Sequence, residues 1–143
     1  LAACRATMRE CQRLDTTAHV WRLGKRLVDG FRERARAEGV ADHVRIIGFD
    51  CNPQIVCTQG DGRYWPELSM VFHEEVISHG VLIPWITITQ SHGEAELART
   101  LDAVQRGMKR ARWALDAGTV ATAFQGAPPK PVFRAYNYPE AAK

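Results

Sequence analysis

A serine, a histidine and glutamates lie close together in the segment TQSHGEAEL, residues 89–97. These residue types could form a hydrolase site, in which a histidine activates a serine nucleophile. Adjacent side chains diverge at the end of a strand, however, so His92 is poorly placed to deprotonate Ser91. The glycines that flank the serine of a G-x-S-x-G nucleophile elbow are also missing. The segment therefore does not predict a catalytic triad.

The same segment suits the start of a helix better. Ser91 or His92 could cap the helix, and Glu94 and Glu96 would lie in its first turn, where carboxylates stabilise the positive end of the helix dipole. We therefore expect a strand-to-helix junction here.

The segment HEEVISH, residues 73–79, resembles a zinc-binding helix. The H-E-x-x-H motif needs two histidines four residues apart, so that both face one metal ion. Ile77 occupies that fourth position, and His79 falls on a different face of the helix. The remaining candidate ligands show no zinc-ligand spacing: His43, Cys51, Cys57 and His92. No metal site is predicted.

The four cysteines are Cys4, Cys11, Cys51 and Cys57, and none forms a C-x-x-C pair. This pattern predicts buried free thiols in a reducing cytosol and not a disulfide framework. No stretch approaches the roughly 20 apolar residues of a membrane span, and no secretory signal is visible. We expect a cytoplasmic protein without a membrane partner.

Basic residues are frequent in two predicted helices, although the net charge is only +3. The first set runs from Arg22 to Arg36 and the second from Arg106 to Arg112. Such arrays can neutralise phosphates, but no interleaved aromatic residues or nucleic-acid-binding module accompany them. A solvated helix face, or a surface that meets an acidic partner, is favoured over nucleic-acid binding.

Hydrophobic periodicity supplies the elements that must position these residues. Helices are predicted at 2–13, at about 17–37, at 66–79 and from 94 to about 117, where Gly118 ends the last one. Strands are predicted at 43–50, 54–59 and 81–89, the first two as antiparallel neighbours. The pattern predicts an α/β fold of the α+β kind, in which a few mostly antiparallel strands pack with helices.

The length of 143 residues suits one packed domain. We assign residues 1–118 to that domain and 119–143 to a proline-rich tail. Because the sequence starts in the middle of a helical pattern, at Leu1, we expect a larger parent protein with a further part upstream.

Two long stretches resemble a known family. GVLIPWITITQSHGEAELARTLDAV, preceded by FHEEVISH, is similar to the C-terminal end of class III pyridoxal-phosphate-dependent aminotransferases, in their glutamate-1-semialdehyde aminomutase-like branch. The segment from Ala2 to Val40, with LGKRLVDGF as its most family-like piece, is similar to the two helices that follow the cofactor-binding domain. The resemblance covers about residues 1–118.

The resemblance implies the small C-terminal domain of a fold-type I enzyme. In this family a lysine of the large domain holds pyridoxal phosphate as a Schiff base. None of Lys25, Lys109, Lys130 and Lys143 has a matching context, so this segment alone is not expected to bind the cofactor or transaminate. The implied partners are the large domain, a second copy in a homodimer, and a small amino, keto or semialdehyde substrate.

The sequence departs from the family pattern at the substrate site. No arginine lies between Val81 and Glu94 to bind a substrate carboxylate, and IPWITIT is short and has no acid. Position suggests that Pro84 and Trp85 line the pocket entrance, although Trp85 fits an ordinary core position equally well.

A stand-alone module that lacks catalysis and binds an acidic partner through its basic helix is the alternative function. An exposed apolar patch would favour the excised domain, and a surface that is polar on all sides would favour the module.

Overall fold

The computed structural model describes residues 1–83 and 85–127. Within these ranges the chain forms four helices and one two-stranded antiparallel sheet. The elements are α1 (Ala2–Arg13), α2 (Thr16–Ala37), β1 (Val44–Phe49), β2 (Asn52–Cys57), α3 (Pro66–Ser78) and α4 (Glu94–Asp116). The predicted mixture of helices with antiparallel strands is confirmed, as are the approximate positions of the helices. No helix in the described part of the chain is long and apolar enough to cross a membrane.

Most buried side chains form one cluster, the main core, between α3, α4, the C-terminal half of α2 and the hairpin. Its fully buried members include Phe31, Val44, Phe72, Val104 and Met108. The rings of Phe31 and Phe72 meet edge to face, with centroids 6.4 Å apart. The periodic apolar residues of the sequence therefore become the core, as their spacing predicted.

Helices α3 and α4 approach each other closely at Gly107. A Cβ atom at this position would lie 2.8 Å from Val76 Cγ2 and 2.9 Å from Phe72 Cδ2. Only a glycine lets the two helices pack at this distance.

The hairpin places one face of β1 against the main core. Val44 pairs with Cys57 and Ile46 with Ile55, and Val44, Ile46 and Cys57 are buried. The turn of the hairpin rests on α2, where a Cβ atom at Gly24 would lie 1.9 Å from the carbonyl oxygen of Asp50. The hairpin can therefore pack on α2 only because residue 24 has no side chain.

The prediction of a third strand at 81–89 is wrong. The described residues of this segment form no strand and pair with neither β1 nor β2. The alternation of burial is nevertheless present, with Ile86 8% exposed and Trp85 63% exposed. Apolar side chains of the segment pack against α2 and α4. This packing makes buried and exposed residues alternate, as they do in a strand of a sheet.

Neither α2 nor α4 begins with a side-chain cap at its N-cap residue. Asp15 occupies the N-cap position of α2, with φ +48°, but its side chain makes no capping hydrogen bond. Gly93, rather than Ser91 or His92, is the N-cap of α4. There the backbone N–H of Gly93 donates to the Glu96 carboxylate over 2.8 Å, which is one half of a capping box and needs no side chain at residue 93.

The prediction that the cysteines are buried holds only for Cys57. All four thiols are free, but Cys4 and Cys11 are exposed and Cys51 is partly exposed. The reason is that α1 buries none of its residues. The predicted proline-rich tail lies largely outside the described residues, from residue 128 onward.

Candidate functional site

An open groove of about 270 Å³ lies between α2, the segment 81–88 and the first turns of α4. Its floor is a small apolar cluster, separate from the main core, formed by Leu23, Leu27, Ile86 and Leu97. Each of these four side chains is less than a tenth exposed. The groove therefore offers an apolar surface at the bottom of a concave site, which is typical of small-molecule sites.

The rim of the groove is apolar as well as exposed. Leu82 is 73% exposed and Trp85 is 63% exposed, and both line the groove. Of the two predicted pocket residues, Trp85 lies in its wall and is not a core residue, whereas Pro84 lies outside the described residues. That Trp85 meets a substrate stays a prediction.

The polar end of the groove is formed by His92, Glu96, Arg99 and Thr100. The backbone carbonyl of His92 accepts a hydrogen bond from His19 Nε2 over 2.9 Å. The His92 ring accepts one at Nδ1 from the backbone N–H of Thr89 over 3.1 Å. Both bonds hold the loop before α4 in place, so His92 has a structural role in the groove wall.

Glu96 is held as a carboxylate. The backbone N–H of Gly93 lowers the pKa of Glu96, as do its own N–H and the nearby His92 and Arg99 side chains. A carboxyl group with a lowered pKa is ionised at neutral pH and is a poor general acid. Glu96 is therefore suited to capping α4 and not to donating a proton.

An ion pair ties the two helices that flank the groove. The Arg26 guanidinium of α2 binds both carboxylate oxygens of Glu94, with Nη2–Oε2 at 2.7 Å. Because both side chains are exposed, water screens their attraction and the pair adds little to stability. Its main effect is to fix the first turn of α4 beside α2.

Ser91 and His92 do not form a catalytic pair in the structure. Ser91 is exposed, and among the described residues its hydroxyl has no hydrogen bond to His92 or to any other side chain. The segment is a turn that leads into α4, so the predicted helix start is confirmed, whereas the predicted strand before it is not found among the described residues. The described lining of the groove is largely apolar and contains no activated nucleophile.

A second group of polar side chains combines the buried Cys57 with the partly buried Ser69 and His73, and the sequence pattern did not indicate it. Ser69 and His73 are one helical turn apart on α3, with His73 Nδ1 donating to the Ser69 carbonyl over 2.7 Å and lying 3.2 Å from its hydroxyl. The Ser69 side chain is near enough to the Cys57 thiol to lower its pKa slightly against the larger effect of burial. The i,i+4 spacing of Ser69 and His73 was visible in the sequence, but the approach of Cys57 requires the fold.

The protonation states of this group argue against catalysis. Burial raises the pKa of Cys57 to about 12, and burial lowers the pKa of His73. A nucleophilic cysteine needs a lowered pKa, because the thiolate is the reactive form. Cys57 therefore remains a protonated packing residue.

The described residues do not fit a pyridoxal-phosphate site. Lys25 and Lys109 are exposed, and each lies near a carboxylate, Asp29 at 2.6 Å and Glu38 at 4.0 Å. Neither sits in an apolar pocket of the kind that activates a Schiff-base lysine. Lys130 and Lys143 lie outside the described residues. In the described part of the chain, no three His, Cys, Asp or Glu residues cluster in a way that could hold a metal ion.

The chain matches no protein-family model, no curated protein and no solved structure.

Proposed function

We propose that this chain is the C-terminal small domain of a class III pyridoxal-phosphate-dependent aminotransferase or aminomutase. In this proposal the groove forms one wall of a substrate pocket that the large domain completes. The observation that carries the proposal is the apolar groove itself, which is open to solvent along Leu82 and Trp85.

The position of the groove agrees with the sequence resemblance. The segment 80–104, which carries the strongest likeness to the family, supplies the rim residues and most of the α4 side of the groove. The order of the helices and of the hairpin also agrees, but the described residues of 81–89 lack the strand that the resemblance implies before the last helix. The likeness therefore coincides with a concave apolar surface that suits a small substrate.

The distribution of exposed apolar residues favours a domain that has a large partner. Besides the groove rim, α1 buries none of its residues, and Trp21 and Phe49 pack edge to face on the surface with centroids 6.2 Å apart. Contiguous exposed apolar surface marks sites of contact with another protein part. A polar surface on all sides, as expected of a stand-alone module, is not what the described residues present.

The chemistry would come from the cofactor, which acts as an electron sink when bound to the large domain. This chain would contribute binding and the exclusion of water. Its apolar wall would hold the carbon skeleton of the substrate, and the Arg26–Glu94 pair would keep the wall in place. The groove does contain His92 and Glu96, but both accept hydrogen bonds from the backbone before α4, and this structural use fits the passive role.

Borohydride reduction of the native protein that contains this segment tests the proposal. Reduction fixes a Schiff base covalently, so peptide mapping should find one pyridoxyl-lysine in sequence upstream of Leu1. The absence of any pyridoxyl-lysine from the native protein would overturn the proposal.

A second candidate is a module without catalysis that binds an acidic partner. The observation in its favour is that Arg22 and Arg32, on the exposed face of α2, have no ion-pair partner among the described residues. Lys25 and Arg26, on the same helix, are already paired with Asp29 and Glu94. Native protein of about 16.0 kDa that is retained on an acidic partner would favour this candidate over the first.

A further inference from the structure

A second concave site lies on the opposite end of α2, between its last turns and β1. This site, which we call the arginine pocket, has a volume of about 460 Å³ and is lined by Arg32 and Arg36 of α2 and Arg45 of β1. Its remaining lining residues are all apolar, and none is acidic. Its volume lies within the usual range for small-molecule sites.

The three arginines differ from several other arginines of the described chain in binding no carboxylate. Arg13, Arg26, Arg63, Arg106 and Arg112 each bind a carboxylate. Arg32, Arg36 and Arg45 have no such partner within the described ranges 1–83 and 85–127, and all three are exposed. The pocket therefore gathers guanidinium groups whose hydrogen-bond donors are free.

The two helix arginines of the pocket repel each other. Arg32 and Arg36 are four residues apart on one helix face, and like charges at this spacing destabilise a helix. Asp29 and Glu33, each three residues before one of these arginines, offset part of the repulsion. The C-terminal end of the α2 dipole offsets only part of the charge of Arg36. An anion in the pocket would relieve the repulsion.

We propose that the arginine pocket binds the phosphoryl group of a small organic phosphate. A phosphate monoester carries about −1.5 to −2 charges at neutral pH, so it balances three guanidinium groups better than a single carboxylate does. Arginine also matches phosphate oxygens through paired N–H donors. Ile47, which is 42% exposed, and Ala41 provide an apolar surface for the organic part. This inference is independent of the proposed aminotransferase function.

The shape of the site favours a small ligand over a nucleic-acid strand. Single-stranded nucleic acids are bound by stacking bases on exposed aromatic rings, and the only aromatic residue that lines the pocket is Phe31, which is 1% exposed. Arg32, Arg36 and Arg45 also lie around one concavity.

Titration of the native protein with phenyl phosphate at constant ionic strength tests the inference. Binding is measured by calorimetry and by the rise in Tm, with inorganic phosphate, benzoate and a single-stranded oligonucleotide as parallel probes. We expect saturable binding of phenyl phosphate, weaker binding of inorganic phosphate, and none of benzoate. If inorganic phosphate bound as tightly as phenyl phosphate, the assignment to an organic ester would be overturned. If benzoate bound as tightly as phenyl phosphate, the assignment to a phosphoryl group would be overturned.

Matched variants locate the site. R32Q, R36Q and R45Q should each weaken phenyl phosphate binding by about tenfold or more, because each removes charge-assisted hydrogen bonds. R22Q is the control, since Arg22 is an exposed arginine of the same helix that does not line the pocket. If R22Q weakened phenyl phosphate binding as much as the three pocket variants do, the proposal would be overturned. Tight binding of the oligonucleotide that phenyl phosphate cannot displace would overturn it as well.

Discussion

The main core and the groove are built on the same two helices, α2 and α4, yet they are closed to different extents. In the main core, Phe72, Val104 and Met108 are fully buried, and Gly107 lets α3 come into direct contact with α4. In the groove, Leu23 and Leu97 are buried at the bottom, while Leu82 and Trp85 above them are exposed. The main core is complete within the described chain, and the groove is covered on one side only.

This difference separates stability from function in the molecule. A closed apolar cluster stabilises the fold, because its residues leave water on folding. A half-open cluster leaves apolar surface for something else to cover, which is the property of a binding site. Substitutions in the two regions should therefore have distinct effects, and the following predictions test that separation.

Phe72→Ala should have the largest effect, because it empties a fully buried aromatic site in the main core. We expect a loss of about 3–5 kcal/mol in the free energy of unfolding, measured by denaturant titration. Ile77→Ala on the same helix is the control, because Ile77 is 50% exposed, and it should change stability by about 0.5 kcal/mol or less. Similar losses in the two variants would contradict the assignment of the main core.

Gly24→Ala tests the contact that joins α2 to the hairpin, between the two regions. The added methyl group would collide with the backbone oxygen of Asp50, which cannot move without the turn. We expect a loss of about 1–3 kcal/mol by thermal or denaturant unfolding. Gly60→Ala should be close to neutral, because no atom lies within 4 Å of the new Cβ. Tolerance of alanine at residue 24 would show that the hairpin does not rest on α2.

The pH dependence of the free energy of unfolding should report on the main core through Cys57. The pKa of Cys57 is raised from 9.0 to about 12 in the folded main core, so above pH 9 the unfolded chain loses a proton that the folded chain keeps. Stability should then fall as pH rises from 9 to 12, with a slope of up to about 1.4 kcal/mol per pH unit. Denaturant titrations of Cys57→Ala over the same range should lack this contribution. If Cys57→Ala lost stability with pH as steeply as the original protein, the pH dependence would come from other groups.

Trp85→Ala should have the smallest effect on stability, because the side chain is largely exposed at the groove rim. We expect a change of about 0.5 kcal/mol or less in the free energy of unfolding. Under the proposed aminotransferase function, the same variant of the native protein should raise KM for the amino substrate, and Trp113→Ala, on the outer side of α4, should not. A large loss of stability in Trp85→Ala would place this residue in a core and remove it from the site.

The parts of the fold that follow a local pattern could be predicted from the sequence. The spacing of Leu97, Val104 and Met108 located α4, and the two β-rich runs located the hairpin. The alternation at 85–89 correctly predicted which side chains are buried. It did not show that the segment forms no backbone hydrogen bonds with a neighbouring strand, because packing between two helices buries every second side chain just as a sheet does. The exposure of α1 was not predictable either, since its periodicity is that of a helix with a buried face.

The sites were harder to predict than the elements. Trp85 was placed at a pocket through family resemblance and not through any local signal. The arginine pocket joins Arg32 and Arg36 with a residue of another element, Arg45, and the cluster of Cys57, Ser69 and His73 likewise spans a strand and a helix. Such groups depend on tertiary packing, which periodicity does not contain.

The proposal that another part of the native protein covers the groove is tested most directly by the oxidation rates of its tryptophans. Hydroxyl-radical labelling followed by mass spectrometry compares Trp85 with Trp113, which are 63% and 51% exposed in this chain. If the large domain covers the groove, Trp85 should be oxidised several-fold more slowly than Trp113 in the native protein, despite its greater exposure here. Oxidation of Trp85 at a rate equal to or above that of Trp113 would show an uncovered groove and contradict the account.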